Sequence, residues 1–161
     1  MKKINLGTIV LGSAVRVTDP CYDLDTWCSG QLIVLPGEYD CEVCREDLGA
    51  WGERNVEISI RHKESKPASK WEDAPFVVGV DSGQAGFFDA DYYADCYSDD
   101  DFANESSWYR RVCNLVINEP NCGNVEEKGV VSESGYGDGS YICSFRRNCE
   151  GYIVEAKIDF R

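Results

Sequence analysis

The segment Tyr152-Ile153-Val154-Glu155-Ala156-Lys157-Ile158-Asp159-Phe160 decides the fold class. Tyr152, Val154, Ala156, Ile158 and Phe160 fall on one face of an extended chain, and Glu155, Lys157 and Asp159 fall on the other. Period two with the apolar residues on a single side is the pattern of a strand laid against a core. Upstream, Tyr141, Cys143 and Phe145 alternate in the same way. Asn148-Cys149-Glu150-Gly151 lies between the two runs and predicts a hairpin turn. Val56, Ile58 and Ile60 alternate with Glu57, Ser59 and Arg61. Further strands are predicted at Ile4 to Leu11, Val15 to Thr18, Gln31 to Leu35, Glu38 to Arg45 and Phe76 to Asp81. The polar stretch His62 to Pro75, which holds Pro67 as well, predicts an exposed connection.

One helix is predicted at about 104–117. Asn104 or Ser106 would cap it, Trp108, Val112, Leu115 and Val116 recur at helical spacing, and Pro120 lies beyond its end. A shorter helical turn is predicted from Asp89 to Asp95. The expected class is therefore α+β, mainly antiparallel β with one packed helix, in a single globular domain spanning 1–161. The 161 residues are enough for a hydrophobic core, and 43% apolar with 28% charged residues excludes the disordered and fibrous classes.

Asp and Glu number 29 against 16 Lys and Arg, a formal charge of −13. That balance disfavours direct binding to a nucleic-acid backbone or an anionic membrane, both of which need a basic footprint. It suits solubility, or an acidic face that docks on a basic protein. Ile4 to Leu11 is too short and too interrupted for a secretory core, so the expected location is the cytoplasm. The nine cysteines (Cys21, Cys28, Cys41, Cys44, Cys96, Cys113, Cys122, Cys143 and Cys149) then read mainly as free thiols used as small hydrophobes. Zinc held by a subset of them is the competing reading.

Few residues carry chemistry in a recognisable arrangement. Cys41-Glu42-Val43-Cys44 has knuckle spacing, but on a strand Cys41 shares a face with Tyr39 and Val43 while Cys44 points away. Asp89, Asp91 and Asp95 resemble the start of a calcium loop, yet Ala94 stands where glycine is required and Asp100 where glutamate is required. No metal or cofactor is therefore expected. The sole histidine, His62, ends a strand beside Lys63 and Glu64 and reads as a surface residue. Asp89 to Glu105 carries seven acids and no base. Within it Asp91, Asp95, Asp99, Asp100 and Asp101 interleave with Tyr92, Tyr93, Tyr97 and Phe102, so aromatic anchors stand among steering charges. A different expectation attaches to the turns. Asp81, Gln84 and Asp138 sit in polar, glycine-bearing segments and Asp19 opens a proline turn, and together they would line a small-ligand pocket if those segments met.

Three of these segments, VTDPCY (Val17 to Tyr22), VDSGQAGFFD (Val80 to Asp89) and YGDGSY (Tyr136 to Tyr141), together resemble small uncharacterised proteins of bacterial genomes and their phages. In those proteins DPCY, DSGQAG and GDGSY segments recur in this order. The resemblance implies a common β-rich fold in which the turns meet, and it carries no assigned activity. With the charge, it leads to the expectation of a phage-associated accessory protein that engages a basic host protein, such as a nucleic-acid-handling defence component. The alternative is a sequestering protein or minor hydrolase built on Asp19, Asp81, Gln84 and Asp138.

Overall fold

The computed structural model describes residues 1–161. Its outer layer is a six-stranded antiparallel sheet in the order β1-β4-β5-β11-β10-β6: β1 (Lys2–Leu11), β4 (Gly37–Asp47), β5 (Glu53–His62), β11 (Ile153–Asp159), β10 (Gly139–Arg147) and β6 (Glu72–Val80). The second layer is a five-stranded antiparallel sheet in the order β3-β2-β7-β9-β8: β3 (Gly30–Ile33), β2 (Ala14–Thr18), β7 (Gln84–Asp89), β9 (Gly129–Glu133) and β8 (Cys122–Val125). Two helices, α1 (Ala90–Cys96) and α2 (Trp108–Ile117), pack on the outer face of this second sheet. The class is α+β and mainly β.

The alternation read from the sequence is the alternation of burial. Val154, Ala156, Ile158 and Phe160 have no exposed surface, and Tyr39, Val43, Ile58 and Cys143 join Ala156, Ile158 and Phe160 in a core shared by both sheets. The predicted hairpin joins β10 to β11, where Asn148 Oδ1 accepts from the amides of Glu150 and Tyr152. Tyr152 departs from the expectation. It precedes the strand and is exposed, because the register shifts between Arg146 and Arg147 where Ile153 joins the ladder. The connection after His62 is also shorter than predicted, since β6 already begins at Glu72.

Three strands were not predicted as such: β7, β8 and β9. All six residues of β7 are buried, because the sandwich core lies on one side of the sheet and the helices on the other. Phe87 faces the first and Phe88 the second, as adjacent residues of a strand must. A strand covered on both faces loses its polar half and with it the period-two pattern. Close approach fixes its composition too. A Cβ on Gly86 would lie 1.9 Å from the Val130 carbonyl oxygen.

The long helix starts later than 104. Its cap is Ser107, whose side chain accepts from the Arg110 amide, while Asn104 Oδ1 accepts from Ser106 in a preceding turn. The short turn is a real helix capped by Asp89, which accepts from the Tyr92 amide and through its other oxygen from Gly12. Phe88, Tyr93, Trp108, Val112, Val125 and Val131 form the second core, between the helices and the sheet.

Candidate functional site

The DPCY, DSGQAG and GDGSY turns converge, and Asp19 is their centre. It follows β2 directly and has no exposed surface. Its Oδ1 accepts from the Cys21 amide at 2.8 Å and the Ser82 hydroxyl at 2.6 Å. Its Oδ2 accepts from the amides of Asp81 at 2.8 Å and Ser82 at 2.7 Å. Four donors leave the carboxylate satisfied without water. Asp81 is exposed and takes the Tyr22 hydroxyl at 2.8 Å. Asp138, also exposed, accepts from the Gly83 amide at 3.0 Å, and the Ser134 amide returns a bond to the Gly83 carbonyl.

Gln84 does not join these carboxylates. It is 2% exposed at the start of β7, with Nε2 3.3 Å from Cys113 Sγ and Oε1 without a partner. Asp19 is thus enclosed in the junction and Gln84 is buried apart from it, and only Asp81 and Asp138 reach solvent. The geometry makes the junction a lock between loops. Sequence reasoning missed Tyr22 and Ser82, which complete it. Their signal is slight: Ser82 follows Asp81, Tyr22 lies three residues after Asp19, and each carries a hydroxyl.

The thiols and phenols around the lock are held neutral. Partial desolvation first, then the neighbouring Asp19 carboxylate, pushes the Cys21 thiol up, although the residue as a whole is exposed. Burial and the bond to Asp81 do the same to the Tyr22 hydroxyl. Tyr109, next to Ser82 and Cys113, is raised mainly by burial. A nucleophilic cysteine needs the opposite setting, an electropositive one that favours thiolate. His62 makes no hydrogen bond to the junction; both of its ring nitrogens are engaged at the end of its own hairpin. Nδ1 lies 3.1 Å from the amides of Glu64 and Ser65, which donate to it, so Nε2 carries the proton offered to the Pro36 carbonyl at 3.0 Å.

Cys41 packs with Tyr39 and Val43 in the sandwich core, whereas Cys44 lies beside Lys3 and Glu57. All nine cysteines are free thiols. No group of three His, Cys, Asp or Glu side chains is placed to hold a metal ion.

The acidic segment divides in two. Tyr92, Tyr93 and Tyr97 belong to the helix layer. Tyr92 bridges Trp108 Nε1 and Glu126 through its hydroxyl, Tyr93 is fully buried, and Tyr97 stacks on Tyr93 at 5.9 Å. Asp91, Asp95, Asp99, Asp100 and Asp101 are exposed. Phe102 is 48% exposed, with the Arg110 guanidinium 4.7 Å over its ring and Arg110 Nη1 donating to its carbonyl. The loop itself is braced from within. Asp99 Oδ2 accepts from the Trp108 amide, and the Asp101 carbonyl accepts from the Ser107 hydroxyl. Arg110 is the residue that sequence reading missed here.

No helix is long and apolar enough to cross a membrane. No curated protein and no solved structure matches the chain. The profile of a family described as "Protein of unknown function (DUF4241)" matches residues 12–158, so the chain belongs to that family.

Proposed function

We propose that the chain is a binding protein whose segment from Asp95, at the end of α1, to Glu105 docks on a basic protein surface. The observation that carries this reading is Phe102, half exposed and clamped by Arg110 in the midst of exposed carboxylates. An aromatic ring offered to solvent in a fixed position supplies an anchor, and the acids around it supply steering and selection against acidic partners. Internal bracing by Asp99, Asp101 and Arg110 lowers the ordering cost of association. The charge of −13 supports a basic partner. The resemblance to phage proteins adds that the partner is a host protein, with a nucleic-acid-handling defence component as the natural candidate. Location in the host cytoplasm belongs to the same proposal.

The test compares three tagged proteins recovered from bacterial lysate under reducing conditions and examined by native mass spectrometry. They are the wild type, Phe102→Ala, and a triple reversal of Asp95, Asp100 and Glu105 to Lys. The reversal spares Asp99 and Asp101, whose side chains hold the loop. The wild type should carry one basic protein in a fixed ratio, lost in both variants and weakened by salt. Recovery of the same protein by all three would sink the proposal.

A further inference from the structure

Trp51 and Tyr136 are exposed aromatics that meet outside both cores. Trp51 is 55% exposed and Tyr136 is 46% exposed, and their rings stand perpendicular with centroids 5.5 Å apart. They come from separate loops. Trp51 ends a single 3-10 turn (Gly49–Trp51) in the hairpin between β4 and β5, closed by the Leu48 amide on the Gly52 carbonyl. Tyr136 tips the turn before β10, which Ser134 closes by accepting from the Gly137 amide and donating its hydroxyl to the Gly137 carbonyl. Tyr141 braces that turn from below, its hydroxyl donating to the Gly137 carbonyl at 2.6 Å. Burial does not account for two large rings held rigidly while half in water, and such pairs mark places where something else packs.

Between and beside the rings lies a cleft of about 280 Å³, lined by Trp51, Tyr136, Arg54, Glu133, Gly83 and Gly137. A Cβ at Gly83 or Gly137 would meet nothing within 4 Å, so bare backbone faces open space there. Arg54 is fixed by its Nε bond to the Trp51 carbonyl at 2.9 Å, and its Nη1 stands 3.9 Å from Glu133 Oε2. Glu133 Oε1 also accepts from the Asn55 amide at 3.4 Å. The cleft therefore presents a right-angled aromatic corner beside the donors of Arg54 and the remaining acceptor capacity of Glu133, whose charges cancel.

We propose that this cleft is a binding site for one neutral pyranose ring. The C–H face of such a ring packs on an aromatic side chain. Its hydroxyls accept from the forked donors of arginine and donate to the remaining lone pairs of a carboxylate. The absence of net charge in the cleft and the −13 of the chain select against carboxylated and phosphorylated ligands. Drug-sized ligands occupy pockets of roughly 300–1,000 Å³, so a cleft just under that range suits a single ring.

The experiment is an NMR titration of the isotope-labelled protein with the methyl pyranosides of glucose, galactose, mannose and N-acetylglucosamine. Sodium benzoate and a proline-rich decapeptide serve as counter-probes. At least one pyranoside should shift the Trp51 indole resonance with a millimolar Kd. Trp51→Ala and Tyr136→Ala should each weaken that binding about tenfold, as loss of an aromatic contact entails. Glu133→Gln should weaken it less, and far-UV circular dichroism should match the wild type in every variant. The proposal is overturned if no pyranoside shifts Trp51, if Tyr136→Ala leaves the affinity unchanged, or if only benzoate or the peptide binds at Trp51.

Discussion

At Asp19 four donors from two loops converge on the two oxygens of a side chain with no exposed surface. Asp19→Ala would strand the amides of Asp81 and Ser82 beside the void left by the carboxylate. The expected cost is about 3–5 kcal/mol, the range for breaking a buried charged network. Asp138→Ala removes one exposed acceptor and should cost less than about 1 kcal/mol. Urea unfolding of the two variants checks this, and equal losses would show that Asp19 is not the centre of the junction. The thiols give a second test at the same scale. Burial pushes Cys143 and Cys41 up to about 12, and Cys122 to about 11 despite the opposing charge of Arg45. Iodoacetamide at pH 8 should therefore modify exposed Cys149 first and leave those three intact until the protein unfolds. Peptide mapping that found Cys143 alkylated in folded protein would contradict the burial.

Among the elements, β7 is where composition is dictated by neighbours rather than by its own period. Gly86→Ala would place a methyl group 1.9 Å from the Val130 carbonyl and force β7 and β9 apart. About 3 kcal/mol or more of stability should be lost. Gly83→Ala, in open space at φ 72°, should cost only the left-handed backbone penalty of about 1–2 kcal/mol. Thermal unfolding that ranked Gly83→Ala as the worse variant would overturn this account of the second sheet. The same strand shows why only part of the fold is legible from sequence. β5, β10 and β11 keep a wet face, so Glu57, Ser59, Arg61, Glu155 and Lys157 mark the period. β7 has no wet face, and in β8 and β9 glycine, asparagine and serine dilute a signal only four or five residues long. The helix start is ambiguous for a related reason. Asn104, Ser106 and Ser107 are all capping types, and the choice is made by Asp99, which takes the Trp108 amide. In the candidate site the turn motifs are visible in sequence, but Asp19, Asp81 and Asp138 look alike there. Only the tertiary fold decides that one is enclosed and two are wet. Likewise nothing local separates Phe102 from Tyr93, which differ because α1 turns one face to the sheet.

Across the whole molecule, burial of neutral thiols and phenols ties stability to alkaline pH. A thiol of ordinary pKa 9.0 that reaches about 12 when folded, as in Cys41 and Cys143, loses its proton more readily in the unfolded chain. Between those values the unfolded state binds fewer protons, so stability falls as pH rises. Cys122 contributes over the narrower span up to about 11. Tyr39 and Tyr93 shift upward through burial and act in the same direction at still higher pH. Stability measured by urea unfolding under reducing conditions should hold from pH 7 to about 9 and decline beyond it, at up to about 1.4 kcal/mol per unit for each such group. Alkali also deepens the net charge of −13, and self-repulsion would produce a decline of its own. Salt separates the two causes: screening at about 0.5 M removes long-range repulsion between exposed charges but barely touches the desolvation of a buried sulfur. The decline should therefore persist in high salt and flatten in Cys143→Ala, where one of the strongly shifted thiols of the core is gone. A decline that vanished in salt and ignored Cys143→Ala would assign the effect to surface charge and deny the buried thiols any part in it.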